Sequence, residues 1–359
     1  MGDCYGGQGG IARYNRDLFE SLAAGGAEIL VLPRLGDADG LTLPPGIRQK
    51  RAISGRLLFS LAALWSAWRV RPVDIVFCGH VFMAPLAWLL ARLAGAHCWL
   101  QAHGADIWRD RPDAERRAIE AADQVTTVSR ATRRILLGRT NLSPERVRVL
   151  PNTVGEQFVP GPPSEALRAR LGLGKGPILL TVGRLASGER YKGHEQVFAA
   201  LPALRAIFPG LVHVVAGEGD DRARLEVRAT ELAPAGAVRV LGFVPDEELP
   251  GLYRLADLFV MPSSEEGFGI VYLEAAACGL RVVGGAGGGV GDAIPDERVG
   301  VIVDPLDQTA LIDAVQQSLE RGRVAPAAIE AYRRPHFAAA ARLLIARVRA
   351  RPCRKSGEP

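Results

Sequence analysis

Twice along this chain, short apolar segments alternate with stretches of helical spacing, and a proline- and glycine-rich break (PNTVGEQFVPGPP, 151–163) separates the two series. In the first series, helical spacing covers 11–24, 57–68, 85–94, 114–122 and 130–137. Strand patterns there cover 28–32, 74–77, 98–102, 124–128 and 147–150. The second series places strands at 178–182, 212–216, 238–242, 258–261, 280–283 and 300–303, with helices at 195–208, 222–231, 246–256 and 270–278. Strands that alternate with helices must be parallel, because each helix carries the chain back to the starting edge. The expected fold is therefore α/β, with two Rossmann-like, doubly wound domains at 1–155 and 164–325. An amphipathic C-terminal helix within 326–350 is expected to pack back on the first domain.

One member of the first series is missing. Only MGDCYGG precedes the glycine-rich turn at 6–10, where a doubly wound domain should open with an apolar strand. The first domain is thus expected to lack its first strand, and the natural start is expected to lie upstream of Met1.

At 359 residues and 48% hydrophobic composition, the chain can bury two cores, which excludes a disordered, collagen-like or coiled-coil protein. The charge of +5 rests on 40 Arg and only four Lys (Lys50, Lys175, Lys192, Lys355), so each lysine stands out. Residues 1–160 carry 20 Lys and Arg against 15 Asp and Glu, and the remainder is neutral. A basic first half suits an anionic substrate or an acidic membrane surface. The tryptophan-bearing segment RLLFSLAALWSAWRVR (56–71) fits either a peripheral membrane contact or a buried helix. Five scattered cysteines without Cys-x-x-Cys spacing argue for a reducing compartment and against a zinc site. With no signal peptide pattern and no uninterrupted apolar span, a cytoplasmic protein is expected, with contact at the inner face of the membrane as an extension.

Four segments carry chemistry. The turn GGQGG (6–10) opens a helix at Ile11, where glycines let a phosphate approach backbone N–H groups. It also fits the G-x-G-x-x-A dinucleotide pattern, which leaves a nicotinamide-dependent oxidoreductase as an alternative. His103-Gly104-Ala105-Asp106 follows a strand and so falls at the carboxyl end of a parallel sheet, where open α/β sheets bind ligands. Gly183-Arg184 ends a strand and Tyr191-Lys192-Gly193-His194 opens the next helix, so Arg184 and Lys192 can grip a diphosphate from two sides. Finally, Glu266-Gly267-Phe268-Gly269-Ile270 leads into a helix bearing Glu274. A carboxylate in so apolar a helix (IVYLEAAAC) needs a partner, which a ligand hydroxyl can supply.

Taken in order, GGIARYN, HGAD, VLPN, TVGRL, RYKGH, VAGEGD, LGFV and EEGFGIVYLEAAACG resemble the retaining glycosyltransferases of family 4, over about residues 6–305. The likeness points to bacterial enzymes of exopolysaccharide and lipid-linked glycan synthesis. It implies the GT-B fold, with two Rossmann-like domains facing across a cleft, the acceptor on the first and a nucleotide-sugar donor on the second. By resemblance, Arg184 and Lys192 neutralise the leaving diphosphate, Glu266 holds hydroxyls of the transferred sugar, and His103 contacts that sugar. Gly183, Gly267, Phe268, Gly269 and Ile270 line the donor site, Glu274 takes the ribose, Val244 lies beside the base, and Gly9 and Gly10 approach the phosphates.

The mechanism implied is front-side attack through an oxocarbenium-like transition state, in which catalysis is mostly charge stabilisation and orientation. The single Asp-x-Asp, at Asp37 and Asp39, lies in a loop pattern, so a metal-independent hexosyltransferase without cofactor is expected. Its donor is a GDP-mannose or a UDP-sugar, its acceptor a glycan or a lipid-linked glycan, and nucleic acid is not expected. A non-catalytic member that binds a glycan or partner protein is the remaining alternative.

Overall fold

The computed structural model describes residues 2–7, 9–108 and 110–351; Gln8 of the glycine-rich turn, Cys353 and Lys355 lie outside them. The chain divides into two compact units. The first holds the chain up to Thr153 and again from Arg334 onward, and the second is Val154–Arg333.

In the first unit, β1 (Ile29–Val31) and β2 (Ile47–Gln49) pair in parallel only with each other. A separate parallel sheet runs in the order β3 (Ile75–Cys78), β4 (His97–Ala102), β5 (Gln124–Thr127), β6 (Val147–Val149). Every residue of β4 and β5 is buried, the signature of strands covered by helices on both faces. No strand precedes β1 among the described residues. Instead Gly2 accepts backbone hydrogen bonds from Arg34 and Leu35, and Asp3 accepts one from the Asn15 amide.

The helix Gly10–Ala23 buries Tyr14, Leu18, Phe19 and Leu22 on one face, the spacing expected of an amphipathic helix. Against it lies the helix Arg334–Arg349: Arg334 donates to Asp17 and Glu20, both at 2.7 Å, and Phe337 meets Tyr14 edge-on at 5.8 Å. This helix begins at Arg334 and not at 326, because Pro326–Tyr332 forms a 3-10 segment that stays with the second unit.

The second unit carries six parallel strands: β7 (Ile178–Val182), β8 (Val212–Ala216), β9 (Val238–Gly242), β10 (Leu258–Met261), β11 (Arg281–Gly285) and β12 (Gly300–Val303). Their spatial order is β12-β11-β10-β7-β8-β9. Counted within the unit this is the doubly wound order of the dinucleotide-binding folds, in which the direction of strand addition reverses between β7 and β10. At that reversal the two flanking loops splay to opposite faces and open a crevice at the strands' carboxyl ends. A core of Leu179, Phe198, Leu201, Leu204, Val260 and Val283 lies beneath it.

Candidate active site

The crevice between β7 and β10 gathers the chemistry of the second unit. Arg184 follows β7 by two residues, and the loop after β10 carries Glu266. The β7 loop continues as a short 3-10 segment, Ser187–Lys192, and then the helix His194–Ile207. Asp220 holds Ser187 through the backbone N–H at 2.9 Å and the hydroxyl at 2.7 Å. The Tyr191 carbonyl accepts from the Ser264 N–H at 2.8 Å, which ties the two crevice loops together.

Lys192 is buried almost to its tip. Its Nζ lies 2.5 Å from Glu189 Oε2 and 3.3 Å from the Arg184 carbonyl, and the other Glu189 oxygen pairs with the Arg184 guanidinium. Gly183 makes room for this: a Cβ there would stand 3.1 Å from Nζ and 3.6 Å from the lysine stem. Arg184 itself remains largely exposed, whereas neighbouring Arg190 is drawn off to Asp221 at 3.1 Å.

Glu266 faces this cation pair. Burial pushes its carboxyl above the ordinary carboxylate range, and the Lys192 charge pulls it back. Its Oε1 accepts from the Gly267 N–H at 3.2 Å, and its carbonyl accepts from the Gly289 N–H at 2.6 Å. Glu265 is exposed. Gly269 (φ 86°) caps the helix Ile270–Ala277 in the left-handed region; a Cβ there would come within 2.4 Å of the Tyr272 ring, so only glycine fits.

Two expected donor residues are engaged by neighbours within the protein. The Phe268 ring is buried beside Tyr332 at 6.2 Å and does not present its aromatic face. Glu274 is 1% exposed, and one of its oxygens accepts from the Tyr253 hydroxyl at 2.8 Å. The lone carboxylate of the apolar helix thus already has a protein partner, as its burial requires. Ile270 is half-buried at the helix start, and Val244 is half-buried just beyond β9 next to exposed Phe243.

The first unit holds the other expected residues. Gly9 caps the helix Gly10–Ala23 at φ 89° with its N-terminus open, and both Gly9 and Gly10 are exposed. His103 follows β4, and its Nε2–H donates to the Gly79 carbonyl at 3.1 Å while its ring meets Tyr14 edge-on at 5.1 Å. Burial lowers its pKa to about 4, so the imidazole is neutral at pH 7. Asp106 shapes this loop by accepting from the His103 and Gly104 N–H groups at 2.8 and 2.9 Å.

Glu189, Tyr253 and Asp106 were not assigned roles from sequence. Glu189 lies between two residues that were, and its i to i+3 spacing from Lys192 was the available signal. Among the described residues no cluster of His, Cys, Asp or Glu is placed to hold a metal ion.

Two family models match consecutive halves of the chain: "Glycosyltransferase Family 4" over 8–157 and "Glycosyl transferases group 1" over 163–334. The chain is 37% identical over 259 residues to a GDP-mannose-dependent α-(1-6)-phosphatidylinositol monomannoside mannosyltransferase of Mycolicibacterium smegmatis, covering 68% of this chain and 67% of that protein. It is 29% identical over 349 residues to a D-inositol 3-phosphate glycosyltransferase of Salinispora arenicola, covering 84% of this chain and 77% of that one. The Anabaena HepE protein, solved with UDP and glucose, superposes with a TM-score of 0.77 at 18% identity, over 97% of this chain and all of that one. The chain matches about two thirds of the length of the mannosyltransferases, and the HepE likeness speaks to fold alone. With the doubly wound second unit and its crevice of Arg184, Lys192 and Glu266, these matches establish that the chain belongs to the family 4 glycosyltransferases of GT-B fold.

Proposed function

We propose that this protein is a retaining, metal-independent hexosyltransferase that takes its sugar from a nucleoside diphosphate donor held by the second unit. The observation that carries the reading is the gathering of Arg184, Lys192 and Glu266 at the β7–β10 reversal, where a doubly wound sheet binds phosphorylated ligands. Two cations beside the leaving phosphates supply the charge stabilisation that other enzymes obtain from a bound metal ion. Glu266, with a carboxyl that burial makes a stronger hydrogen-bonding base, orients the sugar hydroxyls. Glu274 takes the ribose together with Tyr253, and Val244 flanks the base. In the first unit His103 is neutral with its Nε2–H held by Gly79, which leaves Nδ1 as an acceptor, and the helix end at Gly9 and Gly10 is open.

GDP-mannose is the first donor to test, because the mycobacterial relatives are named as GDP-mannose-dependent. UDP-sugars are the second, since HepE was solved with UDP-glucose. The acceptor is a glycan or a lipid-linked glycan at the cytoplasmic face of the membrane. Membrane contact is assigned to the helix Arg56–Arg69, which exposes Leu57, Leu58, Leu61, Trp65 and Trp68, flanked by Arg56, Arg69 and Arg71. Tryptophans and arginines around an apolar face suit an interface with anionic lipid. No described helix is long and apolar enough to cross a membrane.

A panel of GDP- and UDP-sugars assayed for nucleoside diphosphate release tests the function. Release from GDP-mannose or a UDP-sugar, with retention of anomeric configuration in the product, is expected. Release from none of them overturns the reading.

A further inference from the structure

The two cations assigned to the donor diphosphate are already bridged by a single carboxylate. Glu189 places one oxygen on Lys192 Nζ at 2.5 Å and the other on the Arg184 guanidinium. Its side chain is 14% exposed and that of Lys192 10%, so the lysine has little water to neutralise it. The backbone at Glu189 itself departs from helical geometry (φ −121°, ψ 28°), which breaks the short 3-10 segment at this residue. On either side the segment is pinned, at Ser187 by Asp220 and at Tyr191 by Ser264. The backbone is therefore anchored, and the freedom that remains is rotation of the Glu189 side chain.

We propose that Glu189 is a built-in placeholder for the diphosphate: its carboxylate spans Arg184 and Lys192 and swings off both when a nucleoside diphosphate enters. The inference rests on the donor reading above. A carboxylate with one oxygen on each cation mimics two linked phosphoryl groups, but with one negative charge against the two or more of a diphosphate. Only a ligand that satisfies both cations together compensates for the lost pairs. A monophosphate reaches one cation and displaces only one of the two pairs. Glu189 thereby weakens each anionic ligand that must displace it, a diphosphate most, while keeping Lys192 paired and extended.

The test is titration calorimetry of GDP, GMP, UDP, UMP and the free nucleosides against wild type, Glu189→Gln and Glu189→Ala, with the exposed neighbour variant Glu265→Gln as control. Removing the competing charge should tighten GDP or UDP on the order of ten-fold, since a like charge beside a ligand costs this much or more. Monophosphates should tighten less, so that the diphosphate-to-monophosphate preference widens. Nucleosides and Glu265→Gln should show no change. A residue that merely braces the loop would give the opposite result, weaker diphosphate binding in both variants. Unchanged or weakened binding in folded Glu189→Gln overturns the placeholder role alone. Failure of wild type to bind either diphosphate overturns the donor reading beneath it. If neither variant folds, a structure of wild type with GDP or UDP decides: Glu189 still paired with both cations in that complex refutes the proposal.

Discussion

At the scale of single residues, the candidate site is a problem of balancing charge in a half-dry crevice. Lys192 and Arg184 each carry a positive charge that the protein meets with Glu189, while Glu266 is held close by with a raised pKa. In the proposed function this arrangement serves transition-state charge on a departing diphosphate. Arg184→Ala and Lys192→Ala should each lower transfer by about 10²–10³-fold, the usual cost of removing one preorganised donor to developing charge. Steady-state release of nucleoside diphosphate measures this, and full activity in both variants would remove them from that role. Glu266→Gln keeps shape and loses the acceptor charge, and should lower kcat while leaving the fold intact by circular dichroism. Both expectations come from residues that the sequence alone made conspicuous. Glu189 did not stand out, because nothing in a linear sequence says which of two adjacent acidic or basic groups turns inward.

Two helices matter at the scale of elements. The helix Arg56–Arg69 has an apolar composition that reads equally well as buried or as membrane-facing, and only packing decides. It buries Phe59, Ala63 and Ser66 and leaves Leu57, Leu58, Leu61, Trp65 and Trp68 to solvent, with the Trp65 and Trp68 rings 5.3 Å apart and inclined at 33°. Sedimentation with anionic vesicles should carry wild type down at low salt, and Trp65→Ser with Trp68→Ser should leave it in the supernatant. Equal binding of wild type and the double variant would refute the assignment. The helix Arg334–Arg349 is held to the first unit by Arg334, whose partners Asp17 and Glu20 lie in the helix Gly10–Ala23. Burial raises Asp17 to about 6, and the Arg334 charge opposes that rise. Arg334→Ala should therefore destabilise the first unit by about 2 kcal/mol, the usual loss when a mostly buried carboxylate gives up a charged hydrogen bond. A lowered denaturation midpoint of the first unit checks it.

For the whole molecule, the buried histidines set the response to acid. Burial lowers His103 and His194 to about 4 and His213 to about 3, so each is neutral when folded and takes a proton near pH 6.5 when unfolded. Between those values the unfolded chain binds more protons, so stability rises with pH through the window. It is complete above about pH 6.5 and is lost as pH falls toward 4. Each group contributes up to about 1.4 kcal/mol per pH unit there. The second unit, which holds His194 and His213, should therefore lose stability between pH 7 and 5, whereas in the first the raised carboxyl of Asp17 takes up its proton in the folded state and offsets His103. His213 sits inside β8 with Nε2 2.8 Å from the Thr181 hydroxyl. Denaturant titrations at pH 7, 6 and 5 should show a shallower pH dependence for His213→Asn than for wild type.

The strand and helix alternation was legible because burial on both faces of a parallel strand favours near-continuous apolar runs such as those of β7 and β10. The short β2 was not, since Ile47–Gln49 buries only Ile47 and carries no strand pattern. Motif order and the residue types at the ends of strands made family, fold and the Arg184, Lys192 and Glu266 set readable, because chemistry constrains those types locally. What only the tertiary structure decided is which side chains face one another. Phe268 turns its ring into the core, Glu274 meets Tyr253, Glu189 bridges two cations, and a tryptophan-bearing helix stays uncovered. The physical reason is range. Propensity and spacing act over a few neighbouring residues, whereas desolvation and charge pairing are settled by groups that only folding brings into contact.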